Sequence, residues 1–152
     1  KCGIKWPNDI LYDGKKLVGI LTEMNAEIDR INYIVIGMGL NVNNDVFPKE
    51  LEEIETSLKM IAAKKFNRID LLSEIIRELE IEYNEAMKNG FKATFETWRK
   101  YSATLGCQIN VVGIEEQFSG KAIDIDEDGA LLVETAEGLK KVLAGDVSIR
   151  PK

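Results

Sequence analysis

Residues 33–40, Tyr33-Ile34-Val35-Ile36-Gly37-Met38-Gly39-Leu40, form an unbroken apolar run in a chain that is otherwise evenly mixed. A run of this length, β-branched at its start, reads as one strand. Because the polar alternation of a half-solvated strand is missing, it predicts a central strand covered on both faces. The strands around it can be placed by turn chemistry. Ile4 and Trp6 alternate with polar neighbours, Pro7-Asn8-Asp9 is a turn signal, and Ile10-Leu11-Tyr12 is a short strand. Asp13-Gly14 is a strong hairpin turn, followed by a strand over residues 16–24. Residues 3–43 therefore read as β structure.

From residue 48 the apolar spacing changes to that of helices. A short helix is expected over 56–65. Asn67 can cap the next helix, with Asp70 near the positive end of its dipole. Ile69, Leu72, Ile76, Leu79, Tyr83 and Ala86 recur at spacings of 3 and 4 as one stripe, and Asn89-Gly90 closes the helix. Phe91, Phe95 and Trp98 mark one face of another. After Leu105 come five short strand-like segments, 107–112, 117–124, 130–135, 138–143 and 146–149, separated by Gly- and Asp-containing turns. Strands at that spacing suggest a small β-barrel or sandwich. The expected architecture is α+β: part of a mixed β-sheet with helices on one side, then a small barrel. The boundary falls near Ser102–Leu105, giving domains 1–102 and 103–152.

Composition narrows the chemistry. The 152 residues carry a formal net charge of −6, and neither residues 1–100 nor residues 101–152 have a basic excess, so these residues are not expected to grip nucleic acid. No apolar run approaches the roughly 18 residues of a membrane span, and the first residues have no cleavable apolar core. Cys2 and Cys107 read as reduced, small hydrophobes, and the expected location is cytoplasmic. The chain has no histidine. That removes the usual general base, the usual zinc ligand and every Ser-His or Cys-His pair. Chemistry here must run on carboxylates, lysines, amides and backbone.

Seven residues at four places in the chain stand out. Asp9, two residues after a proline, is either a turn former or a carboxylate ligand for Mg²⁺ shared with a phosphate. Asn8 could add a carbonyl oxygen or fix the turn. Lys15 and Lys16 follow the hairpin glycine, where lysines usually form a solvated edge. Simple alternation puts Leu17, Gly19 and Leu21 on one side of the strand and Lys16, Val18 and Ile20 on the other. A lysine beside an apolar slot can meet a carboxylate or phosphate as a point charge. Gly37 and Gly39, at alternate positions, clear a groove on one face. Asn41, just past the strand, either makes a turn or offers an amide to an adenine edge. Together these fit adenylation of a small hydrophobic carboxylic acid.

The same residues resemble the signature blocks of a known family. Lys5-Trp6-Pro7-Asn8-Asp9, Lys16-Leu17-Val18-Gly19-Ile20-Leu21-Thr22-Glu23 and Ile36-Gly37-Met38-Gly39-Leu40-Asn41-Val42-Asn43 are similar to those of biotin protein ligases, the biotin–[acetyl-CoA-carboxylase] ligases. The resemblance extends to the later helices, and residues 103–152 resemble the family's small Src-homology-3-like barrel. It implies that biotin and ATP form biotinyl-5′-adenylate, and that a lysine of a biotin carboxyl carrier protein then takes the biotin. It implies Lys16 as the residue at the biotin carboxylate and α-phosphate, and Asp9 on the metal side with Mg²⁺. Gly19, Ile20, Leu21 and Gly37 would line biotin, while Gly39, Asn41 and Asn8 would lie on the nucleotide side. It further implies that the family's Gly- and Arg-rich loop and first strands lie N-terminal to Lys1, so that the chain alone is expected to be inactive. Some members add a winged-helix repressor domain. Two other readings remain: a lipoate–protein ligase-like acyl transferase, and a non-catalytic module that docks a carrier or dimerises through a sheet edge.

Overall fold

The computed structural model describes residues 1–112, 117–143 and 146–149. Its elements run β1 (Cys2–Lys5), β2 (Asp9–Tyr12), β3 (Lys15–Ala26), β4 (Ile31–Leu40), α1 (Leu58–Ala62), α2 (Arg68–Asn89), α3 (Lys92–Tyr101), β5 (Gln108–Val112), β6 (Gln117–Ile125), β7 (Leu131–Thr135), β8 (Gly138–Val142) and β9 (Asp146–Ile149). The chain divides into two compact units. One is Lys1–Cys2 with Asn8–Phe66, and the other is Gly3–Pro7 with Asn67–Lys152.

In the first unit β2, β3 and β4 pair antiparallel in that order. The β2–β3 hairpin turns on Asp13 (φ 47°) and Gly14 (φ 83°), the two successive positive φ angles of a type I′ turn. Leu17, Val18, Val42, Phe47, Thr56 and Ser57 are buried and form its interior. The short helix covers only 58–62, less than the 56–65 expected. Ser57 caps it by accepting from the Met60 N–H, and Ala63, at φ 54°, stops it by turning left-handed.

The apolar run 33–40 is a strand, but it is not buried. β4 is the outer strand of its sheet, and Tyr33, Ile34, Val35, Ile36 and Met38 are 44–58% exposed. The expectation of a strand covered on both faces is therefore corrected. The pattern records two apolar faces, but pattern alone cannot say whether these 152 residues supply the layers that cover them.

The second unit is built on a five-stranded antiparallel sheet of order β8-β7-β6-β5-β9. The five expected strands all form; the turn expected at 113–116 lies outside the described residues. Ile109, Val111, Leu131 and Val133 are essentially inaccessible and pack with Trp6, Ala122, Ile125 and Val142. Each such side chain contributes roughly 1.5–3 kcal/mol by leaving water. Trp6 is anchored at both ends: its backbone N–H donates to Thr104 Oγ1 (2.9 Å) and its indole Nε1 to the Gly129 carbonyl (3.1 Å). Phe95 and Trp98 of α3 lie against the same core. The helix α2 begins and ends where expected. Asn67 accepts from the Ile69 N–H, and Gly90 (φ 76°) donates to the Ala86 carbonyl. Its stripe from Ile69 to Tyr83 is half to three-quarters exposed, and only Ala86 is buried.

Candidate functional site

Asp9, Lys16, Gly19, Leu21, Gly37 and Gly39 come together on one face of the β2–β3–β4 sheet, and a backbone irregularity brings the lysine there. Asp9 pairs with Gly19 and Ile10 with Val18, but Leu11 pairs with Lys16, so Leu17 is an extra residue on β3. This β-bulge breaks simple alternation. Lys16 therefore does not share the side of Val18 and Ile20, as alternation implied. Its side chain lies over Gly19: a Cβ placed on Gly19 would stand 3.0 Å from Lys16 Cε and 3.1 Å from Nζ. The absence of a side chain at residue 19 is what lets the lysine cross the strand.

Across that glycine floor, Lys16 Nζ meets Asp9 Oδ1 at 2.7 Å. The lysine side chain is 41% exposed and the aspartate 16%. An ammonium has three donors, so with one directed at Asp9 it can still meet a substrate oxygen. Lys15 is not part of the group; its Nζ donates to the Glu52 carbonyl (2.7 Å) and holds the loop before α1.

Gly39 pairs with Gly19, and Gly37 with Leu21, so all four residues share the face of Asp9. A Cβ added at Gly37 or Gly39 would meet nothing closer than 3.7 Å. The face over these alternate glycines is thus open. Ile20 pairs with Met38 on the opposite face, so its side chain does not join Leu21 there. What Ile20 offers is backbone: its carbonyl accepts from Asn8 Nδ2 (2.6 Å), and its N–H donates to the Asn8 carbonyl (2.8 Å). Asn8 fixes the turn through this pair.

Asn41, just beyond β4, is held by its backbone N–H on the Leu17 carbonyl (3.1 Å) and by its own carbonyl, which accepts from Leu58 (3.0 Å). Its Nδ2 donates to Glu55 Oε2 at 3.0 Å. The segment carrying Glu55 runs beside Lys16, with Lys16 N–H on the Ile54 carbonyl (2.7 Å) and Thr56 N–H on the Lys16 carbonyl (2.9 Å). Sequence reasoning missed Glu55, since nothing separates it from Glu50, Glu52 and Glu53 in the same stretch. It also missed Ser57, whose hydroxyl donates to the Asn44 carbonyl, although a serine before a helix is a readable cap signal.

Among the described residues no group of three or more carboxylate, thiol or imidazole side chains could hold a metal ion by itself. The donor set fits Mg²⁺ only in its usual shared mode, with one or two carboxylates and the remaining positions taken by phosphate and water.

The chain is similar to known proteins over almost its whole length. Residues 1–41 match the model of the biotin/lipoate A/B protein ligase family, and residues 104–150 that of the biotin protein ligase C-terminal domain. The chain is 44% identical over 149 residues to the bifunctional ligase/repressor BirA of Bacillus subtilis, covering 96% of this chain and 46% of that protein. It is 34% identical over 146 residues to the biotin–[acetyl-CoA-carboxylase] ligase of Mycobacterium tuberculosis, covering 95% of this chain and 52% of that one. The biotin protein ligase of Aquifex aeolicus, solved with biotin and ATP, superposes with a TM-score of 0.82 at 28% identity, covering 99% of this chain and 62% of that chain. The two antiparallel sheets with intervening helices are thus an α+β fold matching that of biotin protein ligases. The chain belongs to the biotin protein ligase family. It spans about half the length of the curated relatives it matches.

Proposed function

We propose that this chain forms the lysine-bearing part of a biotin ligase catalytic domain together with its C-terminal domain, divided functionally after residue 102. In the reaction, a biotin carboxylate oxygen attacks the α-phosphorus of ATP and pyrophosphate leaves. The amine of a carrier-protein lysine then attacks the acyl carbon of biotinyl-5′-AMP, and AMP leaves. The observation that carries this reading is Lys16 held over Gly19 by Asp9, 2.7 Å away, on the sheet face left open by Gly37 and Gly39.

Each residue has a task that its surroundings support. The Lys16 ammonium binds the biotin carboxylate and offsets the charge that builds on the α-phosphate. Asp9 orients that ammonium. Gly19, Leu21 and Gly37 form an open floor for the fused rings, with the Ile20 backbone fixed beside them by Asn8. Gly39 and Asn41 face the nucleotide. Mg²⁺, when bound, would be held by Asp9 and would neutralise phosphate charge. No histidine is needed, because the nucleophile comes from the carrier protein. No helix among the described residues is long and apolar enough to cross a membrane.

The decisive measurement is biotin-dependent pyrophosphate release by a complete ligase polypeptide that contains this chain. Lys16→Ala is expected to lower it about 100-fold or more, the usual effect of removing one fixed electrostatic contact. An unchanged rate would remove the proposal. The 152-residue chain assayed alone is expected to show no turnover, and full turnover by it would overturn that expectation. Because the family model at residues 1–41 includes lipoate ligases, lipoate should be tested as competitor; biotin is expected to win.

A further inference from the structure

Glu55 is joined to both ends of the proposed site. Its backbone segment pairs with the residue that carries the site lysine, and its carboxylate holds the site amide. Glu55 and Asn41 are both half-buried. The contact between them has a defined polarity. An ionised carboxylate only accepts hydrogen bonds, so Asn41 must present its NH₂ end to Glu55, and the usual ambiguity of an amide's two ends is resolved by chemistry. Asn41 Oδ1 is thereby turned the other way. It makes no hydrogen bond among the described residues, and it is not buried. Asn41 Oδ1 is left as an accessible acceptor.

We propose that Glu55 is a positioning residue that sets which purine the site accepts. By keeping Nδ2 engaged, it presents Asn41 Oδ1 to the exocyclic amine of a 6-aminopurine. A 6-oxopurine would bring a carbonyl oxygen to the same point, so that two acceptors oppose each other. This inference rests on the reading of Asn41 as a nucleotide-side residue. A truncated Glu55 would leave the amide free to rotate and offer either end.

The test compares ATP with inosine triphosphate in biotin-dependent pyrophosphate release by the complete ligase. Wild type is expected to prefer ATP. Glu55→Ala should narrow that preference about tenfold in kcat/KM, the scale of one lost base-edge contact, through KM for ATP and with KM for biotin unchanged. Glu55→Gln should restore most of it, since its carbonyl still accepts from Nδ2. In the 152-residue chain, the side-chain NH₂ resonances of Asn41 should move toward their free positions in Glu55→Ala. If Asn41→Ala narrows the preference and Glu55→Ala does not, Glu55 has no such role and the reading of Asn41 stands. If Asn41→Ala leaves the preference intact, both fall. Equal changes in both KM values, or NH₂ resonances that do not move, would reduce Glu55 to a fold residue and overturn the proposal.

Discussion

At the scale of single residues, the site depends on Gly19 as much as on its charges. The lysine reaches Asp9 by crossing a position that has no side chain. A valine there would meet the flexible end of Lys16 before it met backbone, so the strand should tolerate it while the ammonium is displaced. Gly19→Val is therefore expected to leave the thermal midpoint within a few degrees of wild type but to weaken biotin binding by the complete ligase about tenfold or more. Calorimetric titration beside a melting curve measures both. Binding that survives while the fold does would show that the crossing is not needed. Asp9, Lys16, Gly19, Gly37 and Gly39 were all legible as candidates from the sequence, and the structure brings them onto one face. Their geometry was less so. Which side Lys16 takes is set by the bulge at Leu17, and a bulge is a property of two paired strands, not of one.

At the scale of elements, charge tethers α3 to β6. Arg99 Nε donates to Asp124 Oδ1 (2.6 Å) and Nη2 to the Ile125 carbonyl (2.8 Å). The hydrogen bond from Arg99 holds the Asp124 carboxyl below its ordinary value of 3.8, against a smaller opposing effect of burial. A carboxyl whose pKa is depressed on folding stabilises the native state above the unfolded value, and that contribution is lost as pH falls through the folded value. Asp124→Asn should therefore cost stability at neutral pH. Since the aspartate is 45% exposed, solvent screening limits the cost to about 1 kcal/mol or less. The gap between wild type and variant should close as pH drops below about 4. Urea midpoints from pH 7 down through the acid range test this, and a gap that does not narrow below about pH 4 would contradict it. Most elements were readable because each is fixed by local chemistry: Asp13-Gly14 for the hairpin, Asn67 and Gly90 for the ends of α2, Gly129 and Gly138 for the turns of the β domain. The short helix was read too long because the left-handed turn at Ala63 has no signal in its residue type.

At the scale of the whole molecule, the chain's length against its relatives and the exposure of β4 belong together. A chain covering about half of its relatives carries an outer strand with two apolar faces. An exposed, apolar outer strand is a template for pairing with another chain. The isolated 152-residue chain is expected to self-associate with rising concentration, and Val35→Lys, placing a charge in that strand, to reduce this. Sedimentation velocity across a concentration series checks the pair, and a wild-type chain that stays monomeric would refute the expectation. The sequence by itself determined the family, the order of strands and helices, and which residue types gather near the first hairpin, because short-range periodicity and turn chemistry act within a few residues. Tertiary structure alone decided that Lys16 crosses Gly19, that Glu55 takes hold of Asn41, and that the most apolar strand lies open, because pairing register and burial arise between segments distant in the chain.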